Sequence, residues 1–145
     1  QMFEGGLRVP CIIRWPGRVP AGKTNDAFLT TLEILPTLLQ ASQVKPPQDV
    51  ILDGFDLLPV LRGEKPSARQ TMFWQRRHDK GARVGDWKWV DSNRGSGLFN
   101  LKTDIGEQQD LSATHPEKLK LLKQHFARWK KQMDAAEPRG PFRDF

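Results

Sequence analysis

Three stretches of this 145-residue chain hold side chains that can do chemistry. The first is residues 3–17, FEGGLRVPCIIRWPG, where Glu4-Gly5-Gly6-Leu7-Arg8 is followed closely by Cys11, the one cysteine of the chain. A cysteine attacks as its thiolate, but Cys11 stands between Pro10 and Ile12 in an apolar run, with no histidine nearby in sequence. Apolar surroundings hold a thiol protonated and inert. Cys11 is therefore expected to be a buried core residue. The paired glycines allow a tight or left-handed turn, across which Glu4 and Arg8 are close enough to pair. The second stretch is Arg76-Arg77-His78-Asp79-Lys80. Guanidinium forks suit sulfate and carboxylate, and loops at strand ends commonly carry recognition groups. The third is the set Trp74, Trp87 and Trp89, whose faces can stack on sugars or bases. Most of these tryptophans are expected to pack a sheet against a terminal helix through Phe126 and Trp129. His115 and His125 show no ligand-like spacing to another His, Cys, Asp or Glu, so no metal site is predicted.

The elements that must position these residues follow from periodicity. Val9 to Ile13, with Pro10 near its start and Pro16-Gly17 at its end, reads as a strand buried on both faces. Residues 31–41, TLEILPTLLQA, place Leu32, Leu35, Leu38 and Leu39 on one helical face, with Thr30 and Glu33 as a capping box. Pro36 should kink or divide this helix near its first turn. Asp53-Gly54 turns the chain into a short apolar element, Leu57 to Leu61. Beyond a boundary at Gly63 to Ser67, the segments TMFWQRRH, ARVGDWKWVD and GLFNLKTD predict a small antiparallel sheet with turns at Gly85-Asp86 and Ser92 to Gly97. Within it Trp87 and Trp89 share one face and Lys88 takes the other. Thr114-His-Pro-Glu117 predicts a second capping box. It opens a helix with Leu119, Leu122, Phe126, Trp129 and Met133 on one side and solvated lysines on the other.

Composition narrows the function classes. A chain of this length can bury about 70% of its unfolded surface around one core or two small ones. No apolar run approaches the roughly 20 residues of a membrane span. One cysteine excludes an intrachain disulfide and a cysteine-based zinc site. The formal charge of +6 and pI near 9.8 suit a polyanionic partner, although basic residues spread over a solvated surface would give the same totals. Opening on Gln1 without a signal pattern, the chain is expected to be a fragment of a longer protein.

Four segments in order resemble the C-terminal portion of the type I sulfatases, the arylsulfatase family of the alkaline-phosphatase-like superfamily. They are FEGGLRVPCIIRWPGRVPAGK, TLEILPTLLQAS, LDGFDLLPVLRGE and FNLKTDIGEQQDLS, and they extend over most of residues 3–113. The resemblance implies hydrolysis of sulfate esters by a formylglycine beside a bound calcium. It also implies that the chemistry lies upstream. The formylglycine arises in a C-x-P-x-R type motif, whereas Cys11 is followed by Ile13 and Trp15 where proline or alanine and arginine should stand. Ser42, Ser67, Ser92, Ser96 and Ser112 lack the pattern too, and the chain has no adjacent Asp-Asp or Asp-Asn to supply calcium ligands. The family's last catalytic lysine precedes Glu-Gly-Gly, before the chain begins. Asn100 and Glu33 stand where the family usually has aspartate.

The expected fold is accordingly α/β to α+β. Residues 1–65 would be the end of an alkaline-phosphatase-like α/β domain, and residues 66–145 a small antiparallel sheet packed by a C-terminal helix. Glu4, Gly5, Gly6 and Arg8 would mark the edge of an active site completed by the upstream portion of the protein. Arg76, Arg77 and His78 are the candidate contacts to a sulfated carbohydrate. Alone, the chain is expected to be catalytically inert and to self-associate through residues 9–13. The family suggests a periplasmic, secreted or lysosomal setting. The alternative from another class is a nucleic-acid-binding module on the basic aromatic sheet of residues 71–101, without a zinc site or an RNP-like motif.

Overall fold

The computed structural model describes residues 2–46 and 48–136. In chain order the elements are α1 (Glu4–Leu7), a 3-10 turn (Thr31–Glu33), α2 (Ile34–Ala41), α3 (Leu58–Leu61), β1 (Thr71–Arg76), β2 (Asp79–Val84), β3 (Trp87–Ser92), β4 (Gly95–Asn100) and α4 (Pro116–Ala135). They group into two compact units, Gln1–Val9 with Thr71–Phe145 and Pro10–Gln70. The cut near the expected boundary falls at 70/71, and the opening residues group with the sheet because Met2 and Phe3 pack on it.

The first unit is an antiparallel meander in the order β1-β2-β3-β4. Its loops are two residues long: Arg76 pairs with Asp79, Val84 with Trp87 and Ser92 with Gly95. Gly85 takes a positive φ of 59°, as a glycine-first hairpin loop requires, while Arg77 adopts φ 55° without that freedom. Partners Phe73, Ala82, Trp89 and Leu98 form one row across the strands. That row packs on Leu122 and Phe126 of α4. Trp89 meets Phe126 edge-on at 5.5 Å, and Phe73 stacks on Trp129 at 5.6 Å. On the opposite face Met2, Val90, Phe99 and Leu101 make a second core, flanked by Phe3 and Trp74.

Helix α4 does not begin with the expected capping box. It starts at Pro116 with His115 at the N-cap and no side-chain cap, while Thr114 Oγ1 donates to Leu111 O at 3.2 Å. Proline is most easily placed at the first helical position, where its missing N–H leaves no bond unmade.

In the second unit the Thr30/Glu33 capping box does form. The helix divides as Pro36 required, into the 3-10 turn and α2, with Pro36 inside the first turn of α2. Glu33 is fully buried, and Arg69 binds its carboxylate through both Nε (2.8 Å) and Nη2. Thr37 Oγ1 donates to Glu33 O at 2.6 Å and accepts from Leu57 N at 2.9 Å, so a polar chain seats Leu57 before α3. Gly54 is required by proximity: a Cβ there would lie 1.9 Å from Leu32 O.

Residues 8–15 overturn two expectations. They form no strand, and Cys11 is exposed, as are Val9 and Ile12. A strand buried on both faces needs hydrogen-bonding neighbours, and the strands of this chain satisfy one another within residues 71–100. Pro47 of the proline-rich connection lies outside the described residues.

Candidate functional site

Glu4-Gly5-Gly6-Leu7 forms a right-handed helical turn, α1, closed by Arg8 N donating to Glu4 O at 2.7 Å. Neither glycine has a positive φ, so of the tight or left-handed turn expected from the pair the structure shows the tight, right-handed one. Glu4 finds its cation 84 residues away. Lys88 Nζ donates to Glu4 Oε1 at 2.7 Å and lies 2.9 Å from Glu107 Oε1, outside hydrogen-bonding geometry for the latter. Glu4 N in turn donates to Glu107 Oε2. The Lys88 side chain is fully buried, and those of Glu4 and Glu107 are 9% and 2% exposed.

Strand alternation explains how a lysine reaches this place. Trp87 and Trp89 face α4, so Lys88 emerges on the other side of the sheet, where its Nζ also sits 5.9 Å over the Trp74 ring. Glu107 arrives from the loop after β4, held at φ 53°. Around that loop Asp104 accepts from Gln109 N (2.9 Å) and then Gln108 N (3.0 Å), bonds that hold its carboxyl below the usual range. Asp110 is lowered likewise, first by the Ser112 hydroxyl and then by Leu98 N. Asn100 keeps a turn at the end of β4, with Oδ1 accepting from Lys102 N at 3.1 Å.

Beside the triad runs a groove of about 590 Å³, lined among others by Phe3, Glu4, Arg8, Arg94, Ile105 and Glu107. Arg83 stands close by. Burial draws its guanidinium below its ordinary value; Glu4 and Asp86 oppose the shift, and Arg8 adds to it.

Of the residues singled out in the sequence, Glu4, Gly5 and Arg8 border this groove. Arg76 ends β1, and Arg77 and His78 form the exposed β1–β2 loop. The guanidinium groups of Arg76, Arg77 and Arg94 make no ion pair among the described residues, which leaves their forks available to an anion. The partnership of Lys88 with Glu107, and the place of Arg94, were missed. A lysine between two tryptophans in a strand was the available signal for Lys88; the loops bearing Glu107 and Arg94 offered none.

The stacking platform of a nucleic-acid module is not presented: Trp87 and Trp89 pack toward α4, and Trp74 joins the opposite core. Among the described residues no three His, Cys, Asp or Glu side chains converge to hold a metal. Cys11 lies outside the formylglycine pattern.

The architecture is that of a sulfatase C-terminal region. The chain matches the crystal structure of Ps i-CgsB with a TM-score of 0.68 and 26% identity, over 79% of this chain and 27% of that one. It shares its fold with a structure described under metabolism of multiple glycosaminoglycans by Bacteroides thetaiotaomicron, at TM-score 0.76 and 23% identity over 90% of this chain and 30% of that one. Among curated proteins it is 33% identical over 95 residues to N-acetylgalactosamine-6-sulfatase of Canis lupus familiaris, covering 62% of this chain and 18% of the relative. Arylsulfatase G of Homo sapiens is 41% identical over 71 residues, 49% of this chain and 14% of the relative. The family model "N-sulphoglucosamine sulphohydrolase, C-terminal" matches residues 1–133, and the chain belongs to that family. It spans under a fifth of each of these two sulfatases. No helix among the described residues is long and apolar enough to cross a membrane.

Proposed function

We propose that the protein carrying this chain hydrolyses sulfate esters, and that its substrate is a sulfated carbohydrate. The observation that carries this reading is the family match over residues 1–133. Relatives named for an amino-sugar sulfate and for aryl sulfates support the reaction class. A sugar substrate is supported by Ps i-CgsB, which has been crystallised with k-i-k-neocarrahexaose. The formylglycine nucleophile and calcium belong, on this reading, to residues outside the chain, and the chain alone is inert.

The role assigned to this chain is to border the substrate. Arg76, Arg77 and His78 sit in and beside a two-residue loop, and the guanidiniums of Arg76 and Arg77 make no ion pair among the described residues that would keep them from an anion. An exposed ion pair contributes up to about 1 kcal/mol, or roughly fivefold in binding. In the complete protein, Arg77→Ala should therefore raise KM for a sulfated oligosaccharide by up to about fivefold while leaving KM for a small aryl sulfate unchanged. Steady-state kinetics on both substrates decide it. Equal changes would remove Arg77 from substrate binding, and absence of turnover on any sulfate ester would overturn the hydrolase reading.

A further inference from the structure

We propose that the groove between α1 and the β3–β4 loop is a second saccharide subsite, recognising an acidic group, sulfate or carboxylate, on a sugar next to the one held near Arg76, Arg77 and His78. The inference rests on the reading that the substrate is a sulfated carbohydrate.

The meander places the 77–78 and 93–94 loops at the same end of the sheet, two strand spacings or roughly 10 Å apart. Neighbouring sugar residues can bridge such a span. The two loops are also tied together. Asn93 N donates to Asp79 Oδ1 at 3.3 Å, and behind it Lys80 pairs with Asp91 at 3.7 Å. The next residue, Arg94, is exposed and stands on the groove with Arg8.

The groove also contains Glu4 and Glu107, which would repel an anion if they faced it unpaired. Both are buried beside Lys88, whose single ammonium offsets one of the two charges from within, while Arg8 and Arg94 at the rim outweigh the other. Phe3 and the 47% exposed Ile105 add apolar surface of the kind that a sugar's C–H face covers. Cationic forks at the margin over an apolar patch match an acidic saccharide better than a neutral one.

The test is calorimetric titration of the 145-residue chain with size-defined chondroitin sulfate disaccharide and hexasaccharide, and with the chemically desulfated hexasaccharide. Engaging both loops should make the sulfated hexasaccharide bind about tenfold tighter than the disaccharide. Arg94→Ala should reduce that ratio to about twofold or less and leave disaccharide binding unchanged. Arg128→Ala, an exposed cation on α4, should leave both affinities as they were. If the length gain survives desulfation, the groove takes the carboxylate; if it vanishes, it takes the sulfate. The subsite is overturned if the wild-type chain binds neither length, if Arg94→Ala keeps the tenfold ratio, or if Arg94→Ala and Arg128→Ala weaken the hexasaccharide equally. Turnover by the complete protein is a separate readout. A length gain without turnover would remove the hydrolase reading and keep the subsite, and turnover without a length gain would do the reverse.

Discussion

In the sheet unit, apolar side chains point inward on both faces of β1–β4, and Ala82, Val90 and Leu98 are wholly withdrawn from solvent. In residues 10–70 large apolar side chains stand in the open: Ile12 is 94% exposed, Ile51 92% and Leu38 52%. What organises that second unit is polar. Glu33 collects Arg69, Thr30 and the capping bonds, and Thr37 links α2 to the start of α3. Among its described residues, Leu57, Leu58 and Val60 are the buried apolar ones. The two units thus show two kinds of order, and the one richer in leucine buries less of it. In one, burial supplies the driving force and a charged triad sets geometry; in the other, hydrogen bonds set geometry with little burial behind them.

The sharpest way to break this contrast is at Lys88. Lys88→Ala leaves two buried carboxylates facing each other without their cation and should cost about 3–5 kcal/mol in chemical denaturation. A loss below about 1 kcal/mol would mean that water replaces the ammonium and that the triad is not buried in the sense described. Next comes a matched pair. Leu98→Ala should cost about 2–5 kcal/mol, while Leu38→Ala should stay within about 0.5 kcal/mol, because only the first empties a packed space. Equal losses would erase the distinction between the units. The smallest effect concerns acid. The folded-state pKa of Asp110 is depressed, so its contribution is present above the unfolded carboxylate value near 3.9 and fades as pH falls through the lower folded value. Asp110→Asn should therefore lower stability at neutral pH and flatten the pH dependence between about 2 and 4. An unchanged acid limb in thermal melts would show that the Ser112 and Leu98 bonds persist when the carboxyl is protonated.

Much of the sheet was legible because strand alternation is local. Trp87, Lys88 and Trp89 could be assigned to opposite faces from three adjacent letters. The same letters could not say that the lysine's face was covered, since the cover comes from Glu4 and Glu107, far away in sequence. The leucine stripe of residues 31–41 marks one apolar helical face, yet Leu32, Leu35 and Leu38 are exposed. Periodicity reports that a face is apolar, not that something lies against it. Cys11 failed for the same reason: an apolar neighbourhood in sequence was taken for one in space. Of the candidate site, the Glu4 to Arg8 segment was found through its resemblance to a family. Arg94 was not, because a hairpin loop gains its meaning from the loop beside it.

The triad also has a consequence for timing. Glu4 is joined to Lys88 and Glu107, which follow it by 84 and 103 residues. At a synthesis rate of about 5–20 residues per second, Glu107 emerges roughly 5–20 seconds after Glu4. The Met2-Phe3 segment has nothing to rest on until β3 and β4 are made, and α1 cannot lock until Glu107 follows them. The loop it closes spans 103 residues, a separation that raises the entropic cost of the contact and delays it in the nascent chain. During that interval the segment is open to other partners, and the ribosome's pace becomes part of how this turn finds its place.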